Sequence, residues 1–373
     1  SGGGVSDEGT TVLELREESQ TFTFSDIAEE PVPSVLRAFS APVKVKLGLT
    51  DEERLFLMAH DSDAFNRWDA GQQLAVKLIL DLVKDFQQGN VLALDNLFID
   101  AFRNILESDM TDKSFQAYAL ALPAESYLAD FLEIIDPDAI FAARTFVQQT
   151  LAAALKQSFL SAYRRNIDAG PYRPEQDAIG KRSLKNSCLS YLSELEDEDV
   201  RKLCVDQYRT ANNMTDRVAA LVNLANNDCR EKDEALASFA EQWKDEPLVM
   251  DKWFTIQATS RLTDTLDRVK ALTRHPAFTI KNPNKVRALI GAFSSNAVRF
   301  HDPSGTGYRF VADHVLEIDP LNPQIASRLV SAFTLWKRYD AKRQALMKAE
   351  LDRIIQTPKL SKDVYEVVSK SLA

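Results

Sequence analysis

The chain has 373 residues, 45% of them hydrophobic, which is enough apolar surface for a large core and a length that favours roughly two domains. Its 45 Lys and Arg against 55 Asp and Glu give a formal charge of −10 with the signs well mixed. No basic stripe or basic-aromatic platform results, which excludes nucleic acid as a main partner.

Residues 1–9, "SGGGVSDEG", read as a linker or a cloning remnant, with no secretory h-region. From about Thr10 to Leu47 the pattern has period two. "TVLELREE", "QTFTFSDI" and "APVKVKL" alternate inward and outward residues, which predicts about three strands with Phe22 and Phe24 on the inner face. A sheet that small leaves edges unpaired. It reads as a minor β appendage packed on the helical region after Thr50, or as the last strands of a larger β-sandwich.

After Thr50 the pattern is helical. "TDEERLFLMAH" opens with Thr50 as N-cap and Glu53 three residues on, a capping box. "DAFNRWDAGQQLAVKLILDLVKDFQ", "DNLFIDAFRNILES" and "AESYLADFLEII" come next, then one long helix from Asp136 to Asn166. Further helices begin near Arg182, Asp197, Asn213, Lys232, Pro247 and Thr263, joined by short polar turns that imply antiparallel neighbours. "NPNKVRALIGAF" (Asn282 to Phe293) returns 40 residues later as "NPQIASRLVSAF" (Asn322 to Phe333), a period compatible with stacked HEAT or armadillo helix pairs. In the second copy Asn322 is an N-cap and Pro323 sits at the first helical position. Ile325, Leu329, Val330 and Phe333 form the apolar stripe, with Gln324, Ser327, Arg328 and Ser331 on the other face.

Searches for catalytic chemistry fail. His60, His275, His301 and His314 include no pair at i, i+4, so the H-E-x-x-H zinc arrangement is absent. In "HDSDAFNRWD", Phe65 occupies a position where a calcium loop needs oxygen, and Asp63 reads as an N-cap. "AIGKRS" lacks the upstream glycine of a phosphate loop, and "SGTGY" (Ser304 to Tyr308) is a turn. Cys188, Cys204 and Cys229 have no C-x-x-C spacing, and no apolar run nears the roughly 18 residues that span a membrane. Buried thiols, a reducing cytoplasmic setting and no membrane partner are expected. Arg274, Lys281, Lys285 and Arg287 make a basic cluster whose default reading is a solvated face.

On these residues the chain resembles the zinc aminopeptidases of the aminopeptidase N (alanyl aminopeptidase) type. The resemblance runs through "RHPAFTIKNPNKVRALIGAF", "NAVRFHDPSGTGYRFVADHV", "LNPQIASRLVSAFTLWKRYDAKRQALMKAEL" and "LSKDVYEVVSKSLA". Upstream it includes "PVPSVLRAFSAPVKV" and "HDSDAFNRWDAGQQLA". One departure is Ser304, where that family usually has an aspartate able to hydrogen-bond within the loop.

The resemblance implies a carboxy-terminal portion without its catalytic domain, since the G-A-M-E-N and H-E-x-x-H segments do not occur here. The implied fold is mainly α: a superhelical antiparallel array (49–373) preceded by the last strands of a small β-sandwich (10–48). The implied function is zinc-dependent release of amino-terminal residues from peptides, with this portion capping the chamber. Gln324 resembles the family glutamine over the first side-chain pocket, and Arg328 and Arg287 resemble arginines lining the chamber. Expected partners are peptide substrates and the catalytic domain of the same polypeptide. The zinc ligands lie outside this chain, which alone should be inactive and metal-free. The rival reading is an autonomous helical scaffold that binds a protein on its concave face.

Overall fold

The computed structural model describes residues 10–373. The expected linker at 1–9 lies outside them.

Residues 10–48 run extended, with one 3-10 turn at Arg37–Phe39. Apart from a one-residue bridge at Thr11, the three expected strands do not form among the described residues. The alternation is real, but a strand needs a neighbour to take its N–H and C=O groups, and among the described residues no strand lies beside this segment. Phe24 is accordingly exposed and Phe22 only half-buried. The segment is tied down by Arg37, whose guanidinium donates to Asp61 Oδ1 at 2.7 Å and Ser62 Oγ at 2.6 Å.

Beyond Thr50 the chain is helical, and the local start signals work as the sequence predicts. Thr50 Oγ1 accepts from the Glu53 amide at 3.2 Å, and Glu53 Oε2 accepts from the Thr50 amide at 2.6 Å. This closes the capping box on Asp51–His60. Asp63 caps Ala64–Gln88 through the Asn66 amide at 3.0 Å. The long helix expected from Asp136 to Asn166 divides into Pro137–Ala154 and Lys156–Arg165. Leu155 leaves helical geometry (φ −114°, ψ 20°) while remaining buried, so the break keeps both halves on the core.

Successive helices pack against one another and share one continuous apolar core. The array also curls back on itself. Ile135 N donates to Arg338 O at 2.6 Å, and Arg338 Nη2 donates to the carbonyls of Ala129 (2.9 Å) and Leu132 (2.6 Å). His301, buried nearby, places Nδ1 2.9 Å from Tyr308 Oη and Nε2 2.9 Å from Tyr339 Oη.

The two Asn-Pro segments are structural as well as sequence echoes. Asn282 Oδ1 accepts from Asn284 N (2.9 Å) and Asn322 Oδ1 from Ile325 N (3.2 Å). Their terminal Phe293 and Phe333 are both fully buried. Both meet Phe300 edge-on, with ring centroids 6.4 and 5.6 Å away. The turn at Ser304 to Tyr308 needs its glycines. Gly305 has φ +72°, and a Cβ on Gly307 would lie 2.6 Å from Phe300 O.

Candidate substrate-facing site

The helix Pro323–Val330 buries Ala326, Leu329 and Val330 and leaves Gln324 and Arg328 exposed, one turn apart on its outer face. Arg287 is exposed too, at the start of a π-helix, Arg287–Gly291, where the pattern predicts ordinary α-helix. Such single wide turns are frequent at functional sites. A Cβ on Gly291 would sit 3.8 Å from Arg287 Cγ and 3.9 Å from Leu329 Cδ2. The Arg287 stem and the helix carrying Gln324 and Arg328 therefore flank the same glycine.

None of these three side chains forms a hydrogen bond or ion pair among the described residues. Arg338, Arg343, Arg353 and Arg261, by contrast, all do. An exposed guanidinium with its planar fork free is suited to carboxylate or carbonyl recognition. Lys285 departs from the solvated-face reading of its basic cluster. It is buried, donates to Pro247 O at 2.7 Å and pairs with Asp251 at 2.8 Å, and its ammonium lies over the Phe254 ring, 5.7 Å from the centroid.

The sequence pattern does not reveal the clefts or the residues that line them. A cleft of about 690 Å³ is lined on one side by Glu125, Tyr127 and Arg144 and on the other by Ser295, Leu335 and Tyr339. Ser295 and Leu335 stand just beyond the ends of the two echo segments, whereas Gln324, Arg328 and Arg287 do not line this space. A second cleft of about 360 Å³ shares Glu125, Arg144 and Ser295 and continues to Glu194, Asn223 and Arg261. Burial pushes the Glu125 carboxyl up, opposed by the nearby Arg144 and Arg261 charges. One signal was available in sequence: between Asp138 and Lys156, Arg144 is the sole charge in an otherwise largely apolar helix.

The class these features define is a superhelical repeat array. The chain belongs to the family described as a domain of unknown function (DUF3458_C) with ARM repeats, matched over residues 51–373. Residues 2–48 match a domain of unknown function (DUF3458) with an Ig-like fold. Over 364 residues, 97% of this chain, it is 40% identical to aminopeptidase N of Escherichia coli, and 38% identical to that of Haemophilus influenzae. Aminopeptidase N of Caulobacter vibrioides is 38% identical over 365 residues. These matches fall on the carboxy-terminal part of the relatives. The chain covers 42%, 41% and 42% of their respective lengths. Among solved structures, Legionella pneumophila aminopeptidase A in complex with aspartic acid superposes with a TM-score of 0.83 at 34% identity. That match covers 94% of this chain and 42% of the other.

Proposed function

We propose that this chain is the carboxy-terminal helical portion of a zinc-dependent aminopeptidase that removes amino-terminal residues from peptides, and that it walls and caps the substrate chamber. The observation that carries the reading is 40% identity to an aminopeptidase N across 97% of the chain. In this reading Gln324 reaches over the pocket for the substrate's first side chain, and Arg328 and Arg287 receive peptide carbonyls or the distal carboxylate. The partners are peptides and the catalytic domain of the same polypeptide, in the cytoplasm.

Such hydrolysis uses a Lewis-acid metal and a carboxylate base. The described residues do not fit zinc. No three His, Cys, Asp or Glu side chains converge, and both ring nitrogens of His301 face tyrosine hydroxyls. No step of the hydrolysis is therefore assigned to this chain; its residues bind and orient.

The test uses the natural gene product. Its reading frame should continue upstream into a metallopeptidase segment, and the purified protein should hydrolyse alanyl and leucyl reporter amides. The chain 1–373 alone should not. A natural product with no such segment and no turnover would favour the scaffold.

A further inference from the structure

Six segments converge on the smaller cleft, and their polar groups do not balance one another. Arg144 donates through Nε to Pro123 O (2.9 Å) and through Nη1 to Gln148 Oε1 (2.9 Å), which leaves Nη2 without a partner among the described residues. Arg261 uses Nη2 on Glu194 Oε1 at 2.5 Å. Asn223, on the helix Met214–Ala225, is only 7% exposed, and its side-chain Nδ2 has no hydrogen-bond partner among the described residues. A buried amide left unpaired is costly, which marks it as a group awaiting an acceptor. Glu125 borders the same space, and its carboxylate accepts no hydrogen bond among the described residues, although two guanidinium charges lie within electrostatic reach.

The unmet requirements are thus an acceptor for Arg144 and Asn223 and a donor for Glu125. They sit around a cleft of about 360 Å³, the scale of a small-molecule site. A ligand that supplies both charges a few ångströms apart, on one small body, satisfies this inventory. A simple anion leaves Glu125 unmet, and a simple cation leaves Asn223 unmet.

We propose that the cleft bounded by Glu125, Arg144, Asn223 and Arg261 binds a free α-amino acid, its carboxylate set against the Arg144 and Asn223 donors and its ammonium against Glu125. The inference stands on this donor and acceptor inventory and does not require the aminopeptidase reading. It is tested by binding and not by turnover, so the two fail separately.

The experiment is isothermal titration of the chain 1–373 with L-leucine at up to about 10 mM, beside N-acetyl-L-leucine, which lacks the ammonium, and L-leucinamide, which lacks the carboxylate. L-leucine should bind saturably and each blocked analogue at least roughly tenfold more weakly. Glu125→Gln should abolish the preference for L-leucine over N-acetyl-L-leucine, and it keeps shape at a position that accepts no hydrogen bond. Asn223→Leu should weaken L-leucine roughly tenfold without lowering the Tm, since the amide it removes has no partner. No saturable heat with L-leucine would overturn the proposal. So would N-acetyl-L-leucine binding as tightly, or L-leucine affinity within about twofold of wild type in both variants.

Discussion

Arg343 and Asp138 are joined across 205 positions of sequence, Nη2 donating to Oδ2 at 2.6 Å. The same guanidinium holds Asp340 at 2.8 Å and, through Nε, the carbonyl of His301 at 2.7 Å. One buried side chain therefore fastens the late helices to the start of Pro137–Ala154. The larger cleft lies beside this closure, with Tyr339 shared between the closure and the cleft wall.

Arg343→Ala should cost about 2–3 kcal/mol, since it orphans the His301 carbonyl and breaks a pair whose arginine side is buried. The figure falls short of a fully buried pair because both aspartates are about two-fifths exposed, at 42% and 41%. Asp138→Asn should cost under about 1 kcal/mol. Urea unfolding measures both. An Arg343→Ala loss no larger than that of Asp138→Asn would mean the closure is not held here.

His301 gives a pH dependence. Burial, with Arg343 nearby, holds its imidazole down to about 3, against 6.5 when free. The unfolded chain therefore takes up a proton between these values and the folded chain does not. The stability this neutral histidine contributes is complete above about pH 6.5 and is lost as pH falls toward 3, at about 1.4 kcal/mol per unit. Carboxylates of lowered pKa such as Asp340 and Asp302 add their own acid loss, so the comparison is with His301→Gln. That variant should be less stable at pH 7 but fall about one proton's worth less steeply from pH 6 to 4. Parallel slopes would rule out a neutral buried imidazole.

The features legible in the sequence are the local ones. Thr50 with Glu53, Asp63, and the two Asn-Pro starts each need only their own next three residues to form a cap, so the pattern alone reveals them. The π-turn at Arg287 and the break at Leu155 depend on what packs around them, and no periodicity reports that. Period two at Val12 to Leu47 is a true alternation but does not make strands without a neighbour. The exposure of Gln324 and Arg328 can be read from the helical stripe. The clefts beside Arg144 and Tyr339 arise from contacts spanning much of the chain, so only the isolated charge of Arg144 hints at them.

Residues 10–48 should behave as a tethered segment. Beyond the single bridge at Thr11 their backbone forms no ladder among the described residues, so their amides should exchange far faster than those of Ala64–Gln88. Arg37→Ala should leave the Asp61 carboxylate, 1% exposed, without its cation and cost about 1–3 kcal/mol locally. Faster proteolysis between Arg37 and Thr50 would register it. Exchange in 10–48 as slow as in the helices of a proven monomer would contradict the tether.

The last prediction concerns Gln324 and requires the natural full-length protein. Gln324 is exposed and unpartnered, so Gln324→Ala should change stability by no more than about 0.5 kcal/mol. If its amide caps the pocket for the first side chain, kcat/KM should shift unevenly across substrates. Such pocket contacts are worth about 1–3 kcal/mol and depend on what fills the space. Phe and Met substrates should tolerate or gain from the added room, while alanyl substrates should change little. Arg328→Ala and Arg287→Ala should act instead on peptides, weakening longer substrates with a free carboxylate more than single aminoacyl amides. A panel of aminoacyl amides with one leaving group, run beside di- to tetrapeptides, separates these effects. A uniform fall in every substrate after Gln324→Ala, or none at all, would remove Gln324 from the pocket.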